Sequence, residues 1–173
     1  MHTQIRALLS VSHSIPVVLN NQSFCFKNCF GLGDELTTNL SFRSRDFGDL
    51  FLPVANCKCD MPKDFYFQDV PEQQVDTAET FISAHAPEVE NQAWYCRVPI
   101  KLVGYLKDEQ KLGEQGVLLT DGNSNFFLCR NCENQLTLVE LKFGRSSWTV
   151  TSLPWQGDCV LEGPCRFFMA CRK

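Results

Sequence analysis

Histidine is scarce in this chain: His2, His13 and His85 are the only three among 173 residues. A cysteine nucleophile needs a base, usually histidine, and a lowered thiol pKa. No local catalytic signature surrounds any cysteine, so a cysteine-dependent enzyme is the third-ranked reading, behind two binding roles. Long apolar runs are absent too. None approaches the roughly 18 residues that mark a membrane helix. Basic charge is short: 16 Lys and Arg stand against 20 Asp and Glu, a formal net charge of -4. A general nucleic-acid binder needs a basic footprint to displace counterions, and that class is excluded. No phosphate loop is present. The one close glycine pair, Gly31-Leu32-Gly33, lacks a third glycine and a following helix. Adjacent carboxylates at Asp34-Glu35 and Asp108-Glu109 read as solvated turns, not as a pair set across a cleft.

What the chain has in abundance is cysteine, ten residues at 25, 29, 57, 59, 96, 129, 132, 159, 165 and 171. An even number permits a disulfide framework in an oxidising compartment. Two sequons, Asn21-Gln22-Ser23 and Asn39-Leu40-Ser41, would be usable there. Against that, Arg6 is followed by an apolar stretch that Ser10, Ser12, His13, Ser14 and Pro16 dilute. No small-x-small cleavage site follows it, so a signal peptide is not indicated. The expected location is therefore intracellular, cytoplasmic or nuclear, with a secreted, disulfide-stapled binding protein as the alternative. Cysteine is also among the residues most often buried, so many of the ten are candidates for plain core.

Hydrophobic residues make up 44% of the chain and Phe, at 14, is the commonest aromatic. That is a globular composition. The pattern predicts a mostly β fold, an antiparallel sandwich or partly open barrel, in a single β-rich domain over 1–173 with its best-defined sheet at 93–156. Leu36, Thr38, Leu40 and Phe42 alternate with period two, as in a half-buried strand. Residues 49–54 read as a short strand stopped by Pro53, and 94–106 as a strand with Pro99 at an edge or bulge. Residues 107–115 read as a charged loop. Apolar residues 117–119 and 126–128 flank Asp121-Gly122-Asn123, a hairpin signal. Residues 136–141 and 148–153 supply further strands. Between these regions, 60–92 reads as an acidic connecting segment. It holds Asp60, Asp64, Asp69, Glu72, Asp76, Glu79, Glu88 and Glu90 against a single basic residue, Lys63. A short helix is expected there, with Asp76 as cap and Glu79 at the third position.

Two places carry the functional expectations. The first is Cys129-Arg130-Asn131-Cys132. Two thiolates at this spacing on a tight turn can face one ion, but they supply half of a tetrahedral zinc site. Cys57-x-Cys59 is one candidate for the other half, a poorer one, because one intervening residue in an extended chain points the two side chains to opposite faces. The remaining cysteines offer Cys25-x3-Cys29 or two of the three in the tail. The strand, Cys-x2-Cys turn and following strand resemble one half of the zinc-binding β-tent domains of the yippee type. The likeness covers that hairpin alone, without a clean second Cys-x2-Cys. It implies structural zinc; disulfides and free thiols stand as alternatives. The second place is 60–75, where Phe65, Tyr66 and Phe67 lie among carboxylates. They would dock on a basic, apolar groove of a protein partner, or else fold back onto the sheet and cap its edge. The resulting expectation is a non-catalytic protein-interaction module, stabilised by structural zinc in its fuller form.

Overall fold

A computed structural model describes residues 13–16, 29–31, 40–55, 64–71, 75–77, 80, 100–110, 112–155 and 159–170. These residues are mostly strand, built around one open mixed sheet with two helices. In chain order the elements are β1 (His13–Pro16), β2 (Leu40–Arg43), α1 (Phe47–Ala55), β3 (Asp64–Val70), β4 (Val75–Thr77), α2 (Ile100–Glu109), β5 (Ser124–Arg130), β6 (Leu136–Gly144), β7 (Ser147–Pro154), β8 (Val160–Glu162) and β9 (Cys165–Ala170). The large sheet runs β1-β3-β9-β5-β6-β7-β2, and β4 pairs with β8 in a separate two-stranded ribbon. Two pairings, β5 with β9 and β2 with β7, are parallel, and the sheet does not close into a barrel.

The centre of the sheet is the run β5-β6-β7, where alternation is cleanest. Phe127 and Cys129 on β5, Val139, Leu141 and Phe143 on β6, and Trp148 and Val150 on β7 all point to one face. Both helices pack there. α1 contributes Phe47, Phe51 and Ala55, spaced four apart, and α2 contributes Ile100, Leu102, Val103 and Leu106. Aromatic contacts bind the layer: Phe127 stacks on Phe168 at 4.4 Å and Phe30 meets Phe47 at 5.0 Å. The opposite face carries a second, smaller core of Val70, Leu128, Leu138, Leu161, Cys165 and Phe167, covered by the β4–β8 ribbon. With apolar residues on both faces, β6 is a central strand, as its sequence implies. The β6–β7 connection is a two-residue turn, Arg145-Ser146, in which Arg145 takes φ 58° to match the strand twist.

Several elements depart from the sequence-based expectation. Residues 100–109 are helical, not strand, and the rest of the expected 94–106 strand, 94–99, lies outside the described residues. Ile100, Val103, Gly104 and Lys107 form one buried stripe at helical spacing, with Leu102 and Leu106 beside it. Lys107, expected in a charged loop, lies in this helix and is buried. Residues 47–55 are helical as well, with Pro53 inside α1. The acidic segment contains β3, a seven-residue strand in the interior of the sheet. Its Phe, Tyr and Val content favours a pleated, half-buried environment over a loop. Asp76, expected to cap a short helix, lies in β4, and Glu79 and the residues from 81 on that would form that helix lie outside the described residues; the Thr80 N–H donates to Thr77 Oγ1 at 3.2 Å. Residues 117–119 form no strand. The buried Asn125 amide replaces the ladder, accepting from Leu119 N–H at 2.8 Å and donating to the Leu119 carbonyl at 3.0 Å and the Leu141 carbonyl at 3.1 Å.

Candidate functional site

The Cys129–Cys132 turn is built by Asn131. Its backbone N–H donates to the Gln135 carbonyl at 2.9 Å, and its side-chain oxygen accepts from Glu133 N–H at 3.0 Å and Gln135 N–H at 2.9 Å. Such an Asx arrangement replaces backbone partners that the strands no longer supply. Asn134 at φ 65° completes the reversal, and Arg130 donates to its carbonyl and side-chain oxygens, each at 2.6 Å. The two cysteines then have different surroundings. Cys129 is fully buried in the helix-side core, where burial pushes its thiol far above the ordinary value. Cys132 is exposed, and its thiol donates to the Asp49 carbonyl of α1 at 3.4 Å. Its backbone N–H donates to the Leu50 carbonyl at 2.8 Å. Pro53 has no N–H, so the Asp49 carbonyl lacks its helical i+4 donor, and the Cys132 thiol meets that oxygen. The turn therefore fastens the β5–β6 hairpin to α1.

Among the described residues, no three His, Cys, Asp or Glu side chains gather around one point. Cys57 and Cys59, the other members of the expected zinc set, lie outside the described residues, as do His2 and His85. The five described cysteines, Cys29, Cys129, Cys132, Cys159 and Cys165, are free thiols.

Of the aromatic trio, Phe67 is buried against the sheet. Its ring lies 5.8 Å from Phe168 and sits beneath the Arg166 guanidinium at 3.9 Å. Arg166 also forms a two-pronged ion pair with Asp69, at 2.6 and 2.9 Å, and donates to the Val117 carbonyl at 2.7 Å. Phe67 thus belongs to the core. Phe65 and Tyr66 take part in β3, while their side chains lie outside the description.

Two groupings were not visible in the sequence. At the β2 edge, Leu40 pairs with Trp148 and is buried, and a register shift before Phe42 sets that residue opposite Thr149. The shift turns Phe42 to the outer face, where it is 53% exposed, although period-two alternation from Leu40 would bury it. Arg43 returns inward and donates to the Phe30 carbonyl at 2.9 Å and to the Gly31 carbonyl. The second grouping lies between the 29–31 turn and α2. The Lys107 ammonium, with no side-chain exposure, is ion-paired to Asp108 at 2.7 Å. The Cys29 thiol donates to the Gly104 carbonyl at 3.4 Å. Burial pushes this thiol well above its ordinary value; Lys107 opposes the shift and Asp108 adds to it. Asp108, expected as a solvated turn residue, instead balances a buried charge. The signal for this cluster was the helical spacing of 100–107, which the strand reading concealed.

No family model, no curated protein and no solved structure matches this chain.

Proposed function

We propose that the chain is a non-catalytic protein-interaction module whose contact surface is the β2 edge of the sheet, centred on Phe42. The observation that carries this reading is the register shift that turns a large aromatic out of the core. Bulges at sheet edges re-aim side chains in this way, and an exposed aromatic is a common anchor at protein interfaces. Among the described residues β2 is the terminal strand of its sheet, a position from which a partner segment can add by backbone pairing. Leu153, 40% exposed on the same face of neighbouring β7, is a second exposed apolar side chain four residues along from Thr149, the partner of Phe42.

The test is site-specific photocrosslinking in cells, with a benzophenone amino acid placed at position 42 and, as control, at exposed position 133 in the β5–β6 turn, at the other end of the strands. A discrete protein adduct from position 42 that position 133 does not give supports the reading. Identical patterns from both positions overturn it. Native mass spectrometry addresses the zinc expectation: an increment of one zinc abolished by Cys57→Ser carries it, and a metal-free mass removes it.

A further inference from the structure

We draw no further inference here: the strongest candidate, the Cys29–Lys107–Asp108 cluster buried between the 29–31 turn and α2, is occupied by its own ion pair and hydrogen bonds, and nothing in the structure shows a ligand or reactant that reaches it.

Discussion

Cys29, Cys129 and Cys165 share one consequence of burial. Water stabilises a thiolate, and removing it favours the protonated thiol. Cys165 is pushed up to about 12 from an ordinary 9.0, with Asp69 and Glu140 adding to the effect of burial. Cys29 and Cys129 move in the same direction. Between the unfolded and folded values, the native state keeps a proton that the unfolded chain has released. Stability that is complete below pH 9.0 is therefore lost as the pH rises towards 12. Each such thiol contributes a slope of about 1.4 kcal/mol per pH unit within that window. Urea unfolding in steps of pH reads this directly, and a flat alkaline limb would contradict the buried placement. At the same scale, Asn125→Leu keeps much of the side-chain volume but strands the Leu119 N–H and the Leu119 and Leu141 carbonyls. At about 1–3 kcal/mol for each stranded group, the expected loss is about 3 kcal/mol or more. A thermal-melt shift under one degree would show that loop 117–119 is held by something else.

Among the elements, the hairpins β5–β6 and β6–β7 were the most legible. Alternation over 136–141 and 148–153 and the Arg145-Ser146 reversal are local signals, and the structure keeps them. α2 was not legible as a helix because Ile100, Leu102, Val103 and Leu106 fit a short buried strand as readily as a helix stripe. Tertiary packing under Phe30 and against the sheet decides between them. β3 was hidden by its charge and flanking prolines, although its aromatic content pointed the other way. Of the candidate site, Cys129-x2-Cys132 was visible as a turn, but its role as a fastener was not. That role depends on Pro53, some eighty positions earlier in the chain. The two positions are expected to be coupled. Cys132→Ala removes the donor to the Asp49 carbonyl and costs about 0.5–1 kcal/mol. In a Pro53→Ala background that carbonyl regains a helical N–H, and the same substitution then costs markedly less. A double-mutant cycle on chemical denaturation measures the coupling, and additive effects would dismiss it.

For the whole molecule, one sheet with a core on each face explains how cysteine can be abundant without stapling the described fold. Cys29 and Cys129 fill the helix-side core, while Cys165 and Cys159 pack on the ribbon side. Protein denatured without reductant is accordingly expected to take up at least five alkyl groups, at Cys29, Cys129, Cys132, Cys159 and Cys165. In the native state Cys132, the exposed one, reacts first, and Cys29, Cys129 and Cys165 last. Peptide mapping checks both statements, and a disulfide at any of the five positions would revive the secreted reading. The Phe42 surface belongs to this scale too. Its orientation depends on how β2 registers against β7, more than a hundred residues away, and no local pattern encodes that.

The position of β9 has a consequence for biosynthesis. Residues 165–170 lie between β3 and β5, so the strand that leaves the ribosome after the other described strands fills a middle place in the sheet. Until it emerges, β3 and β5 each present an unpaired edge where β9 will later pair. The nascent chain thus passes through a stage in which two adhesive borders await the same strand. Delay at that stage, whether from slow translation or from crowding, favours pairing with a neighbouring polypeptide over completion of the fold.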